Sequence, residues 1–315
     1  MMRNFHNILY ASTGLGDDSE GLKQALSLAR NNKAALKFLV VCPPLPADQE
    51  EYQGKYRTFM AEQVALALQK ARLSLEMDEA LVPVEVEVES SNATPAAISV
   101  IRHVLRHGHD LVIKEAEPRE GGKGFMAMDM SLLRKCPSPV WLARPISRSR
   151  QAIRVAVAVN PDSRSEAEHD LSLRLLELGR SLADSCSGDL DIVSCWDFAF
   201  ERYLRENTRV YIPEETMRDA AQKAQSSHHS GLSDLLQQSG IGGDFQVHRL
   251  KGRADDLIPI FVHDKAVDIL VMGTVARTGI IGFIMGNTAE NIMRQISCAL
   301  VALKPSGFVS PVKAY

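Results

Sequence analysis

The sequence predicts an α/β protein made of two tandem units, each a mainly parallel five-stranded sheet with helices on both faces. Three observations carry this. Short β-branched runs alternate with longer segments of helical periodicity from one end of the chain to the other. Asp110-Leu111-Val112-Ile113 returns as Asp268-Ile269-Leu270-Val271, and Leu133-Arg134 followed by Pro139-Val140-Trp141-Leu142 returns as Met293-Arg294 followed by Ala299-Leu300-Val301-Ala302. The length, 315 residues, suits two domains of about 150 each.

In the first half, Asn7 to Ser12 reads as a buried strand. Asp17-Asp18-Ser19 caps a helix to about Asn31, with Leu22, Ala25, Leu26 and Ala29 on one face. Leu36 to Cys42 is a second strand, ended by Pro43, Pro44 and Pro46. A long helix, roughly Asp48 to Asp78, carries Met60, Val64, Leu68, Ala71 and Leu75 at helical spacing. In Val82 to Glu89, valines at 84, 86 and 88 alternate with glutamates at 85, 87 and 89, an edge-like strand with a solvated acidic face. Thr94-Pro95 opens a helix to about Arg106, with Pro in the first turn where its missing N–H does no harm. Asp110 to Lys114 and Val140 to Ala143 are the fourth and fifth strands.

Arg144 to Arg150, RPISRSR, is a basic Pro- and Ser-containing link, so the domains are placed at 1–146 and 151–310. The second half repeats the order. Ile153 to Val159 and Asp191 to Trp196 are strands, Ser163 to Ala183 and Glu214 to Gln238 are helices, and segments at Phe245, Ala254, Asp268, Asn287 and Ala299 complete the unit. Phe198, Phe200, Tyr203 and Tyr211 form an aromatic-rich insertion between the second strand and the long helix.

A net charge of −3 and a pI near 6.3 disfavour nucleic-acid binding. The five cysteines form no CxxC pair and read as reduced core residues. No run approaches the ~20 apolar residues that span a bilayer, and the N-terminus has no signal-peptide pattern, so a cytoplasmic location is expected.

The chemistry concentrates in Gly273 to Arg294, GTVARTGIIGFIMGNTAENIMR, directly after Ile269-Leu270-Val271-Met272. This is a strand, a glycine-spaced loop and a helix N-terminus in series. The first N–H groups of a helix lack intrahelical partners and lie at the positive end of its dipole, so the arrangement suits a phosphate. The spacing is neither GxGxxG nor GxxxxGK[ST], which sets aside a Rossmann fingerprint and a Walker A loop. In the first half, Glu115 stands in place of Gly273 and Met126-Ala127 in place of Gly286-Asn287, with Glu117 and Glu120 adding negative charge. That copy is expected to bind no nucleotide, and its Gly121, Gly122 and Gly124 to serve as turn residues.

The loop resembles the signature of the universal stress protein family: Gly, two residues, Gly, nine residues, then Gly-Ser or Gly-Thr. Gly273 and Gly286 fall in place, while Ala276 replaces the second glycine and Asn287 the hydroxyl residue. Tandem copies with a silent first half, together with the segment Leu132 to Trp141, are similar to the tandem members of that family. The resemblance implies a flavodoxin-like, or adenine nucleotide α-hydrolase-like, fold with its ligand at the C-terminal ends of the strands. It also implies pairing of two domains through their last strands, here within one chain between Val140–Ala143 and Ala299–Leu303. For the second half it implies ATP as ligand: Met272 and Gly273 along base and ribose, Gly286 and Asn287 giving N–H groups to phosphate, and Cys195 meeting adenine through its backbone. Asn160 takes the place of the family's strand-end Asp, with Asp162 two residues on. Arg277, Thr278 and Thr288 lie within reach of phosphate on this reading.

Other chemistry is sparse. His228-His229 point about 100° apart on a helix, and His103, His107 and His109 have no acid or thiol placed to complete a metal site. There is no GxSxG motif. The expectation is a binding protein of the stress response, not an enzyme beyond slow ATP hydrolysis, which could form a homodimer. The alternative is a nucleotide-independent scaffold or apolar-ligand carrier.

Overall fold

The computed structural model describes residues 5–16, 18–43, 52–90, 94–117, 121–162, 165–198, 213–274 and 285–315. The first half runs β1 (Asn7–Ser12), α1 (Ser19–Asn32), β2 (Ala35–Cys42), α2 (Gln53–Ser74), β3 (Val84–Ser90), α3 (Ala96–His107), β4 (Leu111–Glu115), α4 (Ala127–Lys135) and β5 (Val140–Ala143). The second runs β6 (Arg154–Ala158), α5 (Glu166–Cys186), β7 (Asp189–Trp196), α6 (Glu214–Ser239), β8 (Gln246–Lys251), α7 (Ala254–Asp264), β9 (Ile269–Gly273), α8 (Asn287–Gln295) and β10 (Ala299–Leu303).

The strands form one ten-stranded sheet in the order β3-β2-β1-β4-β5-β10-β9-β6-β7-β8. Every pairing within a half is parallel, as the alternation of elements predicts. The two halves meet at β5 and β10, which pair antiparallel with Leu300 opposite Leu142, Val301 opposite Trp141 and Ala302 opposite Val140. Helices α1, α2, α5 and α6 cover one face and α3, α4, α7 and α8 the other. The halves are therefore related by an approximate two-fold axis normal to the sheet. The central strands are buried on both faces, which is why they read as unbroken apolar runs.

The repeated aspartates have the same task in each half. Asp110, just before β4, accepts from the backbone N–H groups of His6 and Asn7 at 2.7 and 3.0 Å. Asp268, just before β9, accepts from that of Arg154 at 2.9 Å. Each ties the start of its half's first strand.

Some local expectations change. Asp18 occupies the N-cap position of α1 without bonding the helix through its side chain; the carboxylate accepts instead from Ser12 Oγ and from the Tyr10 hydroxyl. Helix α2 ends at Ser74 rather than Asp78, because Glu76 turns to φ 48° and Met77 N–H closes on Arg72 O at 3.0 Å. Asp78 then caps a separate 3₁₀ turn, accepting from Ala80 N–H at 2.8 Å. Pro95 is the N-cap of α3 rather than a first-turn residue. On the edge strand β3 the acidic face is not simply solvated: Glu85 and Glu87 hold Lys37 at 3.1 and 2.6 Å.

Candidate functional site

Strands β6 and β9 are neighbours, and both point their C-terminal ends at the start of α8. At those ends lies a cavity of about 390 Å³ lined by Asn160, Asp162, Cys195, Met272, Gly273, Gly286 and Thr288, among others. Asn287, the first residue of α8, is exposed beside it and is not part of the lining. Ala276, Arg277 and Thr278 lie outside the described residues, as do Phe200, Tyr203 and Tyr211 of the aromatic insertion.

Asn160 is fixed by its own loop, its Oδ1 accepting from Asp162 N–H at 3.1 Å in an Asx turn. Gly273 is required by packing: a Cβ there would meet Leu171 Cδ2 of α5 at 2.9 Å. The role expected of Gly286 changes. Its N–H donates to Thr274 O at 3.0 Å, closing the two ends of the loop on each other, and is not turned toward a ligand. The intrahelical ladder starts with Glu290 N–H on Gly286 O, so the donors left at the mouth of α8 belong to Asn287, Thr288 and Ala289. Burial pushes the Cys195 thiol up to about 11, so at neutral pH it is an apolar wall group rather than a nucleophile.

Helix α8 is held from behind. Pro259 inside α7 has no N–H for the carbonyl of Asp255, and Gln295 of α8 donates to that carbonyl at 3.2 Å. The Asp255 carboxylate accepts from Arg253 at 2.6 and 3.0 Å and from Asn291 of α8 at 3.0 Å. The Arg253 guanidinium beside it pulls Asp255 down to about 2.

Sequence reasoning missed Glu168, Leu171 and Ile258 in the lining. Glu168 had a visible signal, since Ser165 and Glu168 have capping-box spacing and Ser165 Oγ accepts from Glu168 N–H at 3.3 Å. The wall is therefore mostly apolar, with Asp162, Glu168 and the N-terminal residues of α8 also in the lining. No lysine or arginine lines it among the described residues. Such a set offers acceptors for hydroxyl groups and donors for one anion.

The corresponding place in the first half is filled from within. Lys114 matches Met272, Glu115 matches Gly273, and Asp129 matches Ala289. Asp129, fully buried, accepts from Met126 N–H at 3.3 Å at the mouth of α4 and from Glu117 N–H at 3.2 Å. Lys114 Nζ lies 2.9 Å from it. Glu115 takes the N–H of Gly21 in α1 at 2.7 Å. A carboxylate of the chain itself thus sits where an anionic ligand would, with a lysine to balance it. Gly121, Gly122 and Gly124 all have positive φ, as turn residues do. Among the described residues no group of three or more His, Cys, Asp or Glu could hold a metal ion, and no helix is long and apolar enough to cross a membrane.

Comparison with known proteins bears on this architecture. The universal stress protein family matches residues 4–144 and 154–304, one match in each half. Universal stress protein E of Photorhabdus laumondii is 27% identical over 323 residues, covering 99% of each chain. The homolog of that protein in Haemophilus influenzae is 29% identical over 227 residues, covering 70% of this chain and 71% of its own. Among solved structures, a functionally unknown protein from Pseudomonas aeruginosa superposes with a TM-score of 0.66 at 21% identity, over 96% of this chain and 94% of the other. A universal stress protein from Archaeoglobus fulgidus gives 0.61 at 15% identity, over 96% and 99%. With the family matched in both halves of one continuous sheet, the chain belongs to the universal stress protein family, as a tandem member with two copies of the domain.

Proposed function

We propose that this chain is a cytoplasmic stress-response protein that binds one adenine nucleotide, ATP or its diphosphate, in its second half, and acts as a sensor rather than an enzyme. The observation that carries the reading is the contrast between the two copies. The second leaves a cavity open at the mouth of α8, while the first closes the same place with Asp129 and Lys114. The apolar walls suit a base, Asp162 and Glu168 suit ribose hydroxyls, and the N–H groups of Asn287, Thr288 and Ala289 suit one phosphate. No histidine, lysine or arginine lines the cavity among the described residues to work as a general acid or base beside the phosphate, so hydrolysis is expected to be slow at most. A homodimer through surfaces outside the β5–β10 seam is compatible with this role.

The test is ATP titration calorimetry on the full chain. Wild type is expected to bind one nucleotide. Thr288→Glu is expected to lower affinity at least tenfold, about 1.4 kcal/mol, because it puts a carboxylate at the helix mouth. A first-turn Glu favours the helix dipole, so the melting temperature should hold. Gly286→Val, at φ −67° and ψ 140° and hence without backbone strain, is expected to narrow the mouth with the same result. Unchanged affinity in both variants, or no heat with wild type, overturns the proposal.

A further inference from the structure

A second cavity, of about 450 Å³, opens between the halves at the end of β9 opposite Gly273. Its walls are α1 of the first half and α5 of the second, and the 144–153 link crosses its base. The floor is apolar, made by Leu28, Trp141, Ile146, Ile153, Leu182 and Ile269. Trp141 is fixed in this floor by Gln24, whose Oε1 accepts from its indole N–H at 3.1 Å while Gln24 Nε2 donates to Arg144 O at 2.7 Å.

The rim is cationic. Lys23 and Glu20 satisfy each other at 2.7 Å, and Arg30, Arg148 and Arg150 line the cleft together with Glu76. No ion pair among the described residues involves Arg30 or Arg150, although Arg150 gives one Nη2 hydrogen bond to the Ser185 carbonyl and keeps its other donors. Arg148 has Asp268 at 3.8 Å, beyond hydrogen-bond reach, and Asp268 already accepts from Arg154 N–H at 2.9 Å. Guanidinium groups with free donors above an aromatic and aliphatic floor are built for an anion joined to an apolar body. The volume falls within the range of small-ligand sites.

We propose that this interdomain cleft binds a small amphipathic anion: one carboxylate or phosphate head at the arginine rim, and an unbranched or aromatic body along Trp141. The site needs both halves, since neither α1 nor α5 encloses it alone. It shares no lining residue with the cavity at α8, so it stands or falls independently of nucleotide binding.

The probes are decanoate and decyl phosphate, with decanol as neutral counterpart. The chain has two tryptophans, so Trp196→Phe leaves Trp141 as the reporter. Saturable change in its fluorescence is expected with decanoate or decyl phosphate, the stronger of the two naming the preferred head group. Decanol is expected to bind at least tenfold more weakly. The double variant Arg30→Ala with Arg148→Ala should weaken the anions by about tenfold and leave decanol unchanged. Ser27→Phe, which fills the cleft from the α1 wall, should abolish binding while ATP titration stays as in wild type. Absence of saturation by either anion, equal binding of decanol, or displacement of the anion by ATP overturns the proposal.

Discussion

Asp129→Ala is the sharpest probe of how the first copy is closed. The substitution removes a carboxylate with no solvent exposure and leaves the Lys114 ammonium, 4% exposed, beneath the sheet end. Removing one partner of a buried pair costs about 3–5 kcal/mol, because the remaining charge has lost its compensation. Here the lower figure applies. Lys114 keeps the Glu115 carbonyl at 2.9 Å and Glu117 at 3.3 Å, although Glu117 is a third exposed and holds the charge only weakly. Two N–H groups, of Glu117 and Met126, also lose their acceptor. The second copy carries Met272 and Ala289 at the matching positions. Lys114→Met combined with Asp129→Ala therefore removes both charges in a combination the fold already accommodates, and should recover about 2 kcal/mol of the single-variant loss. Urea denaturation of wild type, both single variants and the double variant measures the coupling. A double variant as destabilised as Asp129→Ala alone would refute the assignment of these residues as a charge-balanced plug.

Other outcomes follow from the same structure. Burial pushes His103 down to about 4 from the ordinary 6.5, with Lys37, Glu87, His107 and His109 around it, and burial also lowers His109 and His228. Unfolding lets these imidazoles take up protons, so their contribution is complete above pH 6.5 and is lost as pH falls toward 4; for His103 it is on the order of 3 kcal/mol. His103→Phe should flatten the melting profile in that window. Asp255→Ala should loosen α8 from α7 and cost roughly 1 kcal/mol, since the half-exposed Arg253 is screened by water. The wild-type contribution of Asp255, held down to about 2, should be present above about pH 4 and disappear as pH falls toward 2. Hydrogen exchange along α8 at neutral pH reads the same loosening directly.

The sheet was legible because its strands obey local rules. Buried parallel strands must be apolar on both faces, and Leu111 to Ile113 or Leu270 to Met272 satisfy no other element so well. The repeated Asp before each was legible as a letter but not as a function, since its partners Asn7 and Arg154 lie more than a hundred residues away. The same distinction separates what was readable at the site. Gly273 and Gly286 marked a strand end and a helix start by spacing alone. That Thr274 O takes the Gly286 N–H depends on how the loop closes, and that Gln295 answers the carbonyl orphaned by Pro259 depends on two helices packing. In the first copy the acidic residues after β4 announced a site hostile to phosphate. The group that fills it is Asp129, which the sequence separates from Lys114 by a whole loop.

The seam explains why a copy without an open cavity is kept. Val140 to Ala143 and Ala299 to Leu303 are almost completely buried, on both faces and along the edge where they pair. Either half alone would therefore present an apolar strand with unpaired N–H and C=O groups, the kind of edge that recruits another strand. Side-chain links across the seam are too weak to substitute: Arg134 and Glu290 meet at 2.8 Å, but Arg134 is 44% exposed and such a pair contributes under about 1 kcal/mol. The two-fold relation makes each last strand a fitting partner for the other, and by the same geometry for a second copy of itself. Residues 1–146 produced alone are expected to elute as a homodimer through β5 in light-scattering chromatography, and to exchange into a heterodimer when residues 151–315 are added. A stable monomer of either half would show that the seam is an accessory contact, and the first copy would then need another reason to persist.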